Sequence, residues 1–168
     1  MNYSYTKWQD LELEIDRTLS KDLLKQIYAQ SLQSYPDECC GVIMQQGIRP
    51  CSNILNDLHQ ADPATYPRTA KEGFVFSADD ALFLSKNISS DNPVKIIYHS
   101  HPNVGAYFSE EDKSNALLYG EPIYPVDHLV IDVQNSKVIC SKLFRFIEGN
   151  YELIAVLPGS NHFGEVKL

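Results

Sequence analysis

The chain has 168 residues, which at about 100–200 residues per domain makes one compact domain. With 43% hydrophobic, 11% aromatic and 21% charged residues its composition is ordinary for a globular protein, which excludes intrinsic disorder, a collagen-like repeat and a disulfide-dense scaffold. A net charge of −8 leaves no excess of cations for a phosphate backbone or an acidic lipid surface, so neither nucleic acid nor membrane is an expected partner. No stretch approaches the ~18 uncharged apolar residues of a membrane span. The start, MNYSYTKWQDLELEID, carries acids where a signal peptide needs a basic and then an apolar run, so a cytoplasmic location is expected. The four cysteines, Cys39, Cys40, Cys51 and Cys140, lack the C-x-x-C spacing of a zinc knuckle and are too few for a disulfide framework.

In chain order, residues 1–19 read as a polar, acidic N-terminal arm without sustained period. Ser20 then caps a predicted helix in which Leu23, Leu24, Ile27, Tyr28 and Leu32 recur at helical spacing, stopped before Tyr35-Pro36. Cys39–Met44 reads as a buried strand, with Cys39 and Cys40 on opposite faces as small packing residues. Gln45-Gln46-Gly47 turns the chain into a second strand near Ile48–Ile54. Residues 55–73, with two prolines and no period, read as a long loop of the kind that serves as a lid or binding segment. A strand at Phe74–Phe76 and a helix opened by Ser77-Ala78-Asp79-Asp80 follow. Val94–His101 is the clearest strand. Ser109 opens a helix through Tyr119, and Leu129–Val133, Val138–Phe146 and Tyr151–Ala155 supply further strands. Mixed helices and strands without a regular βαβ repeat predict an α+β fold, a three-layer α-β-α sandwich with a central mixed sheet flanked by helices. The main domain is expected over 20–146, with 147–168 adding a last strand and tail.

Two places carry chemistry. His99 and His101 end the clearest strand one residue apart, so their side chains share a face about 6–7 Å apart and can converge on one ion. Pro102 ends the strand there. Taken alone, the pair is equally compatible with two surface or core histidines. After six residues comes Ser109-Glu110-Glu111-Asp112, which reads as a capping box with acids in the first helical turn. The same helix start would hold the Asp112 carboxylate rigidly at the mouth of a cleft. Two imidazoles and one carboxylate make three protein ligands with a fourth position open, the arrangement of catalytic zinc. Glu38, at the entrance to the apolar strand, is either an exposed loop-end acid or a base for that site.

His-Ser-His-Pro, six residues, then Ser-Glu-Glu-Asp resembles the H-x-H-P-x(6)-S-x-x-D signature of the JAMM (MPN-plus, Mov34-like) metallopeptidases, and Pro36-Asp37-Glu38-Cys39-Cys40-Gly41 is similar to the upstream segment that carries that family's acid. The likeness runs from about Ser20 to Phe146. It is closest in form to the prokaryotic branch, which includes the N-terminal domain of phage tail assembly protein K and stand-alone bacterial JAMM peptidases. The resemblance implies a cytidine-deaminase-like sandwich and a zinc-dependent peptidase or isopeptidase, with Zn2+ on His99, His101 and Asp112. It implies Glu38 as the group that moves the water proton and Ser109 as the oxyanion donor. The implied substrate is a protein or peptide, most naturally the C-terminal tail of a ubiquitin-like or sulfur-carrier-like protein. The alternative is a phage tail or bacterial assembly domain of the same fold that binds without cleaving.

Other features read more plainly. His59 is expected as a solvated loop histidine, His128 as a hydrogen-bonded strand-end residue, and His162 as part of a tail. A Cys40 nucleophile would need an imidazole not committed to metal and an activating helix N-terminus, and its mid-strand position supplies neither. Segments 55–73 and Asn103–Phe108 would flank an extended substrate, with Val104, Tyr107 and Phe108 as apolar contacts.

Overall fold

A computed structural model describes residues 5–6 and 18–159. The expected N-terminal arm, apart from residues 5–6 and 18–19, and the tail with His162 lie outside the described residues. Helix α1 (Lys21–Ser34) starts where Ser20 accepts the Leu23 N–H at 3.2 Å and ends before Tyr35-Pro36. The chain continues through β1 (Cys40–Met44), β2 (Ile48–Cys51), α2 (Leu55–Ala61), α3 (Ala78–Asn87), β3 (Val94–Pro102) and α4 (Glu110–Ala116). A two-stranded hairpin, β4 (Leu117–Leu118) and β5 (Glu121–Pro122), precedes the long strands β6 (Asp127–Gln134), β7 (Lys137–Ile147) and β8 (Asn150–Pro158).

Among the described residues six strands form one mixed sheet in the order β2-β1-β3-β6-β7-β8, in which only the β3–β6 pair is parallel. Alternation along β3 decides the layering. Ile96 and Tyr98 turn toward α1 and pack with Leu24, Ile27, Tyr28, Leu129 and Leu143. Ile97 turns the other way, into a cluster with Leu84 of α3 and Phe74 and Phe76 at its edge. Every residue of β3 except Lys95 is buried, as expected of a strand covered on both faces. The Tyr28 hydroxyl ties α1 to the far strands, 2.7 Å from Ser141 Oγ and donating to Pro158 O at 2.8 Å. Gly41 sits opposite Tyr98, and a Cβ there would overlap the tyrosine ring, so the glycine makes room for the aromatic core. Among the described residues no helix is long and apolar enough to cross a membrane.

Several expected elements come out differently. The second strand stops at Cys51 rather than Ile54, because the Ser52 N–H is taken by Asp80 and Asn53 turns its side chain into a junction. Phe74–Phe76 makes a single bridge, Asn53 to Phe76, rather than a strand, since its rings cover the sheet face. The loop 55–73 contains α2, a seven-residue helix with only Leu55 buried, too polar to leave a periodic trace. The helix from Ser109 ends at Ala116 instead of Tyr119, where Tyr119 at φ 52° and Gly120 at φ 83° turn the chain into the β4–β5 hairpin.

Candidate metal centre

The central strands build the site. In β3, His99 is paired with Cys40 of β1 on one side and Val130 of β6 on the other, so its backbone is fixed from both flanks. His101 lies two residues on, with the same face outward. Helix α4 brings the third group. The Ser109 hydroxyl accepts the Asp112 N–H at 3.0 Å while Asp112 Oδ2 accepts the Ser109 N–H at 2.9 Å, a closed capping box that fixes the carboxylate at the helix entrance.

His99 Nε2 lies 3.0 Å from His101 Nε2, 3.3 Å from Asp112 Oδ1, and His101 Nε2 lies 3.4 Å from Asp112 Oδ2. Ligands about 2.0–2.2 Å from a tetrahedral zinc are about 3.3–3.5 Å from one another; the two histidine–carboxylate distances fall in that range, each through a different Asp112 oxygen, while the two imidazole nitrogens stand closer at 3.0 Å. The ligand atoms of all three residues lie within 4.8 Å of one another and could hold a metal ion. His101 Nδ1 lies 3.0 Å from Gly105 O and donates to it, which leaves the Nε2 lone pair directed at the triangle. His99 stacks on Phe74 with ring centroids 4.8 Å apart, and its Nδ1 is buried without a hydrogen-bond partner.

Glu38 completes the cluster. Its N–H donates to Ala70 O at 2.7 Å and its carbonyl accepts from Asn53 Nδ2 at 2.9 Å, so its backbone is pinned on both sides. The side chain is buried, with Oε1 4.0 Å from His101 Nε2 and Oε2 lacking a hydrogen-bond partner. Such a carboxylate is costly without a charge or donor to face. Burial pushes the Glu38 carboxyl up to about 8, opposed by His101 and assisted by Asp112. Burial would raise Asp112 as well, but His99, His101 and Ser109 together hold it well below the usual carboxylate range. Burial lowers His99, whereas His101 is raised because its bond to Asp112 and the nearby Glu38 outweigh desolvation.

The structure thus brings Glu38, His99, His101 and Asp112 together, with Ser109 beside them in the wall of a groove of about 870 Å³. Val104 and Tyr107 line that groove as expected, Tyr107 edge-on to His101 at 5.0 Å. Phe108 does not. It is turned inward against Phe144 and Tyr151, because the helix start that places Ser109 outward directs its neighbour to the sheet. His59 is not free in solvent, its Nδ1 lying 2.7 Å from Tyr66 O. His128 is the second residue of β6, buried and packed on the rings of Phe108 and Tyr151. All four cysteines are free thiols, and burial raises the Cys40 thiol far from a nucleophile's range.

Several supporting residues escaped the sequence reading. The Ser100 hydroxyl accepts the Cys39 N–H at 2.8 Å and locks the Glu38 segment to β3. Asn53 donates to Glu38 O and Gly73 O and accepts from the N–H groups of Leu55 and Val75, using its whole amide.

Residues 20–141 match the sequence family described as prokaryotic homologs of the JAB domain. A search of curated proteins finds no match. The fold is similar to the solution structure of a protein from Desulfitobacterium hafniense, with a TM-score of 0.58 and 20% identity over 81% of this chain and 88% of that one. It is also similar to that of a protein from Salinibacter ruber, with a TM-score of 0.52 and 15% identity over 84% and 90% of the two chains. At these identities the two structures speak to the fold alone, whereas the family match spans most of the sequence and the HxHP and SxxD segments that meet in the site. The chain belongs to the prokaryotic homologs of the JAB domain.

Proposed function

We propose that the protein is a zinc-dependent peptidase or isopeptidase. The observation that carries this reading is the cluster of His99, His101 and Asp112 ligand atoms within 4.8 Å of one another beside a buried Glu38 with an unpartnered oxygen. The donor set suits zinc: two imidazoles, one of them oriented by a carbonyl, and one carboxylate would hold the ion at the wall of the groove. When bound, the ion would supply Lewis acidity and bring the pKa of water from about 15.7 to about 7. Glu38 is the base in this scheme. Its buried, unpartnered Oε2 would accept a proton from the attacking water and return it to the leaving amine. Ser109 Oγ, held beside the site by the Asp112 N–H, would donate a hydrogen bond to the developing oxyanion.

The groove, walled by Tyr66–Val75 on one side and Val104–Glu111 on the other, suits an extended chain. An incoming tail can pair with the backbone at Gly73–Phe76, whose inward groups are held by Asn53 and Ile54. The substrate class we propose is the C-terminal tail of a ubiquitin-like or sulfur-carrier-like protein.

Metal analysis and kinetics test this together. The wild type should hold about one zinc per chain and His99→Ala should hold none. Glu38→Gln should keep the zinc and lose about 10²–10⁴-fold in kcat on ubiquitin-like fusions. Absence of zinc sinks the metal assignment, and equal activity of Glu38→Gln sinks its role. Zinc binding and partner capture without cleavage of any fusion would make the chain a binding domain instead.

A further inference from the structure

A second cavity, of about 290 Å³, opens on the other side of the metal centre, between the sheet, α3 and α4. Its wall is apolar: Phe76, Leu84, Ile97, Phe108 and Tyr124 contribute most of it, and His128 lies in it as well. His99 and Asp112 stand at its polar end. Protein interiors contain few voids larger than a water molecule, and a wall of this kind gives water few of the 2–4 partners it needs. An apolar group would therefore displace solvent here favourably.

Position and size identify the occupant. The cavity and the groove share Phe74, Val75, Asp112 and Asn115, so a backbone lying in the groove at Asp112 can send one side chain past Asn115 into the cavity. A cavity of about 150 Å³ lined by leucine, isoleucine and phenylalanine is enough for benzene, so this one takes a whole phenylalanine or leucine side chain. Apart from Asp112 at the entrance no charged side chain lines it, and a lysine or glutamate would have to bury its charge unpaired.

Resting on the hydrolytic reading above, we infer that this cavity is the specificity subsite for a bulky apolar side chain, phenylalanine- or leucine-sized, on a residue that flanks the scissile bond. A substrate with glycine on both sides of that bond leaves the subsite unused and is the poorer one.

Binding can be read without metal. N-acetyl-L-phenylalaninamide added to the metal-free protein should shift the methyl resonances of Leu84 and Ile97, and N-acetylglycinamide should not. Ala81→Phe, which fills the cavity from α3, and Asn115→Trp, at an exposed position on its rim, should each weaken phenylalaninamide binding at least tenfold. The inference is overturned if the glycine probe shifts the same methyls equally, or if the correctly folded variants bind the phenylalanine probe as the wild type does. Zinc-loaded protein should cleave peptides with phenylalanine or leucine beside the bond at least tenfold faster, by kcat/KM, than the all-glycine peptide. Equal rates defeat the subsite and leave hydrolysis standing. Phenylalaninamide binding in the cavity with no cleavage of any peptide defeats hydrolysis and supports the cavity as a binding site.

Discussion

On the proposed reading Ser109 has two uses that alanine would remove together, the helix cap and the oxyanion donor. Ser109→Ala should cost about 1 kcal/mol of stability through the lost N-cap and lower kcat about 10²–10³-fold through the lost oxyanion donor. Ser109→Asp separates the two: it keeps a capping oxygen, so the urea midpoint should return close to wild type while activity stays low. Recovery of kcat in the aspartate variant would remove the donor role. At this scale the groups that meet in the site were legible, because strand alternation puts His99 and His101 on one face and capping chemistry fixes Asp112 at a helix start. Their supports were not. Phe74 under His99, Gly105 O on His101 and Asn53 on Glu38 depend on how loops return to the sheet, which no local pattern encodes.

Among the elements, the junction of β2 and α3 is sensitive to acid. Asp80, buried in the first turn of α3, accepts from Arg49 Nε at 3.1 Å, the Ser52 N–H at 3.0 Å and the Ser77 hydroxyl at 2.9 Å. Burial alone would raise its carboxyl, but these donors outweigh it and hold the group below its ordinary value. A carboxylate with a lowered folded pKa stabilises the fold fully above its unfolded value, near 3.9, and loses that contribution as pH falls through the folded value. Asp80→Asn should therefore cost about 1.5–3 kcal/mol at pH 7, most of it from the part-buried Ser52 and Ser77 bonds since Arg49 is partly exposed and screened. The deficit, read from urea midpoints, should narrow at pH 3, and a constant deficit would contradict the assignment. The start of α3 was legible in Ser77-Ala78-Asp79-Asp80. The β4–β5 hairpin was not, because Leu117-Leu118-Tyr119 continues a helical pattern and only the left-handed turn at Tyr119 and Gly120 breaks it.

At the scale of the molecule, the layered α+β class followed from the mixture of patterns, but strand order did not. The parallel β3–β6 pair is made by a crossover through α4 and the hairpin, and its register rests on long-range packing. Zinc held between β3 and α4 would bind the folded chain and not the unfolded one. At a free concentration a hundred times its Kd it should add about 2.7 kcal/mol and raise Tm by about 5–11 °C. Calorimetry with and without a chelator checks this, and the shift should vanish in His99→Ala. The capping box carries a different consequence. Ser109 and Asp112 hold each other through two hydrogen bonds of the chain's own, so the start of α4 and one corner of the site are fixed by capping chemistry. Replacing one histidine would then take away the chemistry and spare the architecture. On the proposed reading, one backbone would in this way serve as a hydrolase or as a purely adhesive module, separated by a single codon.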